Sequence, residues 1–331
     1  MAKPADDRPI GRSDSLITAQ PFPRKDDQTP HNASEVVSLG DSRFLFCDND
    51  ISDALFEMRL TRTGALSGEL IRHEISGVSP RYFDDFESMA IVGGGERYHL
   101  ILATSFSLKI RNAHAKKKSR RAKAAIERES LLRVTHTGSG ALQAEIIPGF
   151  RSWLVDQTPD LGKRWRKSLQ RIPDDGGLNI EGLAWDPARA ELLFGLRTPV
   201  IGGRPVILRV HVKDIAGIWN LNNFEMRAPV FLELPKAKDP RGIRTMEYDH
   251  RRKTTLIVTG NAVSATRVPF ALYAWDGNAT GTVTPFDKVH FDKKFRVEGV
   301  APGTIAGRPA LVFVDDRGGY QVLWDDDSRL S

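Results

Sequence analysis

The chain has 331 residues, 48 Lys and Arg against 42 Asp and Glu, a formal charge of +6 and one cysteine. Its length suits two ordinary domains or one large all-β or α/β-barrel domain, and 40% hydrophobic with 27% charged residues is a globular composition, not a disordered or fibrous one. A lone cysteine excludes a disulfide framework and Cys-pair zinc or redox sites, and no apolar run of about eighteen residues is present to span a membrane.

Residues 1–14 read as a disordered polar lead without the apolar stretch of a secretory signal, so a cytoplasmic protein is expected. From residue 15 onward one unit recurs. Its starts are Glu35-Val36-Val37-Ser38-Leu39, Glu87-Ser88-Met89-Ala90-Ile91, Glu181-Gly182-Leu183-Ala184-Trp185, the weaker Arg244-Thr245-Met246-Glu247-Tyr248, and Glu298-Gly299-Val300-Ala301. Each is followed by a turn and an apolar run: Phe44–Cys47, Leu100–Ala103, Leu192–Gly195, Leu256–Thr259 and Leu311–Val314. Short apolar runs between turn signals read as buried strands. Further strands follow at Ala54–Leu60, Val206–Val212, Phe270–Trp275 and Tyr320–Trp324.

Units of about four short strands every 40–50 residues are the signature of a β-propeller. The expected fold is therefore all-β: one propeller of five blades over 15–331, with six as the alternative if the long interval from 87 to 181 hides a further blade. That interval carries two insertions, about 111–129 and 150–176. The first holds the basic run Lys116–Ala125, read as a hairpin, and Ser130–Thr135 with Leu142–Ile147 complete the blade as outer strands. The second holds Leu161, Trp165 and Leu169, spaced as one face of a short helix that is basic on its other side. The last unit has three strands, and Ser15–Ala19 is the candidate to complete it and close the ring.

In such a ring the starts of the first strands and the ends of the second strands share one mouth of the channel. That juxtaposes Glu35, Glu87, Glu181, Arg244 and Glu298 with Asp48, Arg197, Asn261, Asp315 and Arg317. Carboxylates that close repel unless something offsets them. A divalent cation, Ca²⁺ or Mg²⁺, suits an oxygen-rich donor set, here Glu87, Glu181, Glu298, Asp48 and Asn261. Arginines beside it suit phosphate or carboxylate oxygens. The expected function is then a cation-binding propeller acting on or binding a small anionic, phosphorylated ligand at the channel mouth, and, if it is an enzyme, a phosphoric ester or anhydride hydrolase. Glu181 or Asp315 would act on water, and Arg197 or Arg244 on the developing charge. Each Glu also has a structural alternative, bonding a neighbouring blade's backbone to hold the ring.

Two other functions stay open. One is a non-catalytic scaffold that meets a protein or nucleic acid through Lys116–Lys123 and the Trp165 helix; the other is a metal-dependent lactone or ester hydrolase using Glu181, Asn261 and Asp315. Cys47, in an apolar run, reads as an inert buried thiol.

Asn179-Ile180-Glu181-Gly182-Leu183-Ala184-Trp185 with Leu193–Val200 resembles an uncharacterised bacterial β-propeller family, a domain of unknown function, over about residues 34–325. More distantly, the Glu-Gly-Leu units are similar to those of esterase-like phytases and calcium-activated nucleotidases (apyrases). The apyrase resemblance implies a five-bladed ring holding Ca²⁺ in its channel, with Glu87, Glu181 and Glu298 as cation ligands or their surroundings. Arg244 departs from that acidic pattern.

Overall fold

Each apolar run pairs with its successor in sequence across a tight turn, so the strands form antiparallel sheets of four. The computed structural model describes residues 16–23, 30–79, 85–94, 97–110, 122–123, 128–136, 142–264, 268–326 and 330. Blade I comprises β2 (Ala33–Gly40), β3 (Arg43–Asp48), β4 (Ile51–Arg59) and β5 (Ile71–Ser76); blade II comprises β6 (Phe86–Gly94), β7 (Arg97–Thr104), β10 (Leu131–His136) and β11 (Leu142–Ile147). Blade III is β12 (Asn179–Asp186), β13 (Glu191–Thr198), β14 (Val206–Val212) and β15 (Phe224–Phe231); blade IV is β16 (Arg241–Asp249), β17 (Thr254–Asn261), β18 (Ala271–Trp275) and β19 (Thr284–Pro285). Blade V takes β20 (Val297–Ile305), β21 (Arg308–Asp315) and β22 (Gly319–Trp324) from the end of the chain and β1 (Gln20–Pro21) from its start.

The inner strands pack in the order β2, β6, β12, β16, β20 and back to β2, so the five blades form a closed ring. The protein is a five-bladed β-propeller. Among the described residues no further blade lies between 87 and 181: that stretch supplies the two outer strands of blade II, a short ribbon of β8 (Lys109–Ile110) and β9 (Ala122–Lys123), and two α-helices. The rest of the basic run, residues 116–121 and 124–125, lies outside the described residues. Blades I and II also join at their rims, where β5 and β11 pair in parallel through Ile75 opposite Leu142.

Closure differs from the sequence expectation by a few residues. The closing strand is Gln20–Pro21, opposite Tyr320 and Gly319, and Ile17 instead bridges to Phe291. The anchor is aromatic: Phe22 stacks on Phe46 of blade I at 4.9 Å and on Tyr320 of blade V at 5.6 Å. Pro21 is tolerated because β1 is an edge strand, where one missing N–H leaves no ladder bond broken.

Five apolar clusters hold the ring, one in each gap between blades. Val37, Leu45 and Met89 fill I–II; Ala90, Leu183 and Phe194 fill II–III; Ala184, Ile243 and Met246 fill III–IV; Leu256, Val300 and Phe313 fill IV–V; Val36, Ala301 and Val314 fill V–I. A fully buried Leu or Phe contributes about 1.5–3 kcal/mol, against roughly 0–1 kcal/mol for an exposed ion pair. Apolar packing between blades therefore dominates stability. It is tight enough at the axis that a Cβ on Gly299 would lie 2.8 Å from the backbone nitrogen of Val36 in the next blade.

The 150–176 insertion forms α1 (Phe150–Gln157) and α2 (Lys163–Ser168). Trp165 of α2 is buried in the II–III cluster, with Leu161 and Leu169 partly buried against it, as their spacing predicts. The sequence reading missed α1, which buries Phe150 and Leu154 in the same cluster. No helix among the described residues is long and apolar enough to cross a membrane.

Candidate functional site at the channel mouth

Each inner strand carries one extra residue at the same place. Register slips between Ala33 and Glu35, Phe86 and Ser88, Ile180 and Gly182, Ile243 and Thr245, and Val297 and Gly299. A β-bulge of this kind re-aims its side chain out of the sheet. The bulged residues are Ser34, Glu87, Glu181, Arg244 and Glu298. In blade I the ring position therefore belongs to Ser34, and Glu35 lies one residue deeper, level with Ser88, Gly182, Thr245 and Gly299. The buried pair Val36-Val37, matching Met89-Ala90, carries this alignment in the sequence.

Arg244 joins three blades. Its Nη1 lies 2.9 Å from Oε2 of Glu181 as an ion pair, and its Nη2 donates to Oε1 of Glu298. Arg197, at the end of β13, donates from Nη1 to Oε1 of Glu181 at 2.6 Å and from Nε to the carbonyl of Asn261 at 3.3 Å. Asn179 adds an amide donor to Oε1 of Glu181 at 2.9 Å. Burial pushes the Arg244 guanidinium down to about 10, with Glu181 opposing that shift, so it stays charged at neutral pH. At Arg197 burial also works against the charge, but Glu181 and Glu87 hold its pKa above the usual value.

Glu87 completes the group electrostatically. Its side chain forms no hydrogen bond among the described residues. Burial, then Asp85 and Glu181, push its pKa well above the usual range, with Arg244 and Arg197 pulling the other way. Glu35 is raised as well, chiefly by burial, while accepting hydrogen bonds from Thr245, Val36 N and Val300 N. The bond from Val300 is the ring-holding role that was the structural alternative for these residues. Glu247, level with Ala184 and Ala301, is a further buried carboxyl, its pKa raised by burial, and its Oε2 accepts no hydrogen bond among the described residues. The sequence reading passed over it, although a Glu in place of Ala at that repeat position marks it.

The remaining expected residues lie near the mouth but are engaged elsewhere. Asp48 accepts the backbone N–H groups of His31 and Asn32 at 2.8 Å and of Asp50 at 2.9 Å, tying the chain entering blade I to its first turn. Asp315, its counterpart in blade V, accepts from Arg317 N at 2.6 Å, and burial pushes it up to about 6. Asn261 donates its side-chain amide to Val263 O at 3.1 Å, and Arg317 is exposed. Cys47 is buried and free, and burial raises its thiol pKa.

The donor set does not fit Ca²⁺, which takes about 6–8 oxygen ligands. Both oxygens of Asp48, Oε1 of Glu181 and Oε1 of Glu298 already accept hydrogen bonds, and Oε2 of Glu181 is ion-paired with Arg244. Among the described residues no group of three or more His, Cys, Asp or Glu is arranged to hold a metal ion. The repulsion that called for a cation is offset by Arg197 and Arg244.

No curated protein sequence matches the chain. Among solved structures it is similar to Myxococcus xanthus glutaminyl cyclase, at 13% identity over 93% of this chain and 95% of that one, with a TM-score of 0.41. It is also similar to CoXyl43, a GH43 β-xylosidase/α-arabinofuranosidase from a compost microbial metagenome, at 9% identity over 93% of this chain and 95% of that one, TM-score 0.46. A third likeness is the β-propeller domain of Myceliophteria thermophila Cps50 (Swd1), at 8% identity over 90% and 98%, TM-score 0.38. At such identities and scores none of them transfers a reaction or a ligand. The family described as Protein of unknown function (DUF3616) matches residues 162–297, the stretch that carries α2, blades III and IV, and the mouth residues Glu181, Arg197 and Arg244.

Proposed function

We propose that this propeller binds a small anionic ligand, phosphorylated or carboxylated, at its channel mouth without a divalent cation. One observation carries the reading: Glu87, a carboxyl with a raised pKa and no hydrogen bond among the described residues, sits within electrostatic reach of Arg197 and Arg244. A ligand oxygen there would take an N–H from Arg197, whose Nη2 is uncommitted among the described residues, and an O–H from protonated Glu87. With a phosphoric ester or anhydride, a water oxygen would bond to phosphorus as the bond to the leaving oxygen breaks, Glu87 giving its proton to the leaving oxygen and regaining one from the water, and the guanidinium would offset the developing charge. Glu181 is a positioning residue in this scheme, because both its oxygens orient arginines. A cytoplasmic setting belongs to the same reading, supported by the one free, buried thiol.

The test is calorimetric titration with inorganic phosphate and a panel of phosphate esters in EDTA, with hydrolysis followed in parallel. Binding that survives chelation and is lost in Arg197→Ala supports the reading; unchanged binding in that variant sinks it. A melting temperature that climbs with CaCl₂ as RT ln(1 + [L]/Kd) requires would sink its cation-free part.

The scaffold reading is favoured by a different observation, the pairing of Glu181 with Arg197 and Arg244 and of Glu298 with Arg244, which ties blades III, IV and V together. It predicts no small-anion binding at the mouth and a purely structural effect of every mouth substitution.

A further inference from the structure

Outside the mouth group, α2 carries Lys163, Arg164, Arg166 and Lys167, of which only Arg166 pairs with a carboxylate among the described residues. A cavity of about 290 Å³ beside it is lined by Lys163, Arg164, Lys167 and Arg171, with Asp175 as the single carboxylate. Arg164 is fixed by donating to Val200 O at 2.9 Å, and Arg171 lies 3.4 Å from Asp175 O. Lys163 and Lys167 are exposed and meet no carboxylate among the described residues. The one ion pair on this helix, Arg166 with Asp160, involves none of the cavity's cations.

Lys163 and Lys167 are four residues apart, a spacing at which like charges weaken a helix. A helix of six residues has no stability of its own to spare; buried Trp165 and Ser168 hold it in place. Neutral residues at 163 and 167 would remove that repulsion, yet the sequence keeps two ammoniums there beside two guanidiniums. Gly176 of the lining is held in a turn, its N–H donating to Pro173 O at 2.8 Å. Four cations converge on a cavity larger than a single phosphate needs.

We propose that this cavity binds a short oligophosphate chain, such as pyrophosphate, with Lys163, Lys167 and Arg171 as its charge partners and Arg164 held in place by the backbone. Its lining shares no residue with the mouth group, and the proposal stands whether or not the mouth binds anions.

The experiment titrates pyrophosphate into the full chain carrying Arg197→Ala, so that the mouth contributes nothing, with and without Lys163→Gln/Lys167→Gln. The expected result is salt-sensitive binding that weakens roughly tenfold or more when the two lysines are neutralised, from the loss of charge-assisted hydrogen bonds. The unliganded lysine double variant should melt at the same temperature or higher, since a repulsion has been removed. The same comparison in the otherwise wild-type chain guards against a folding defect from Arg197→Ala. Equal affinity for pyrophosphate and a nucleoside diphosphate assigns recognition to the chain alone; tighter nucleotide binding, still lost with the lysines, assigns the chain as a nucleotide's anchor. Unchanged affinity in the lysine variant overturns the proposal. So does binding of a single-stranded oligonucleotide with none of pyrophosphate.

Discussion

The hydroxyl of Thr245 on β16 lies 2.8 Å from each carboxyl oxygen of Glu35 on β2, although the two strands are not neighbours in the ring. The bond crosses the channel and joins blades I and IV directly. Thr245→Val leaves a buried carboxyl short of a partner and should lower the stability by about 1–3 kcal/mol, read from urea midpoints. Glu35→Gln should cost less, because burial keeps the carboxyl protonated well above the usual range. A carboxyl with a raised pKa contributes fully below the ordinary carboxylate range and loses that contribution as pH rises. The stability of wild type relative to Glu35→Gln should therefore decline from acid toward alkaline pH; a difference that grows with pH would contradict the assignment.

Arg244→Met removes the guanidinium shared by Glu181 and Glu298 and leaves both carboxylates facing each other in a buried site. Breaking a buried ion pair on one side costs roughly 3–5 kcal/mol. Arg244→Lys should recover only part of that, since one ammonium cannot reproduce the fork that spans two blades. Thermal melts of the two variants side by side check the order.

Glu57 has the opposite pH sign from Glu35. On blade I its buried carboxylate accepts from Arg43 at 2.9 and 3.0 Å, from Arg59 at 2.9 Å, and pairs with His73 at 3.0 Å. These partners override burial and hold its pKa well below the usual range. Its contribution is present above the ordinary carboxylate pKa and is lost as pH falls. Glu57→Gln should destabilise by about 1–2 kcal/mol at neutral pH, discounted for the exposure of its arginines, and the difference should shrink below pH of about 4.

At the mouth, protonated Glu87 donates to an anion, whereas ionised Glu87 repels it. Phosphate affinity of the wild type should fall as pH rises through the raised Glu87 pKa, and Glu87→Gln should flatten that dependence while still binding. Titrations over a series of pH values above the ordinary carboxylate range, corrected for the ionisation of phosphate itself, decide it. A profile identical in both proteins would remove Glu87 from the site.

The blade count was legible because each unit repeats an apolar run between turn signals, and burial in a sheet demands that run wherever it recurs. The mouth positions in blades II to V were legible for the same reason. Blade I was misaligned by one residue, because a bulge inserts a residue that the alternating pattern does not count; Ser34 takes the ring position, not Glu35. Asp48 and Asp315 were read as site residues, yet each accepts the N–H two residues onward, ordinary turn chemistry written in Asp48-Asn49-Asp50 and Asp315-Asp316-Arg317. Blades III and IV repeat a further device, Asp186 paired with Arg189 and Asp249 with Arg252 across equivalent turns.

By itself the sequence determined the ring, since strand length, turn residues and the period of the apolar runs act over a few residues and leave a propeller as the way to bury them. Which charges meet was decided only by tertiary structure. Glu181, Arg244 and Glu298 come from three blades, and their distances depend on closure through Phe22 and on five bulges aligned around one axis. Read along the chain, the acidic residues demand a metal; folded, they surround two arginines. Electrostatics acts through space at a few ångströms, and the ring alone brings those residues that close.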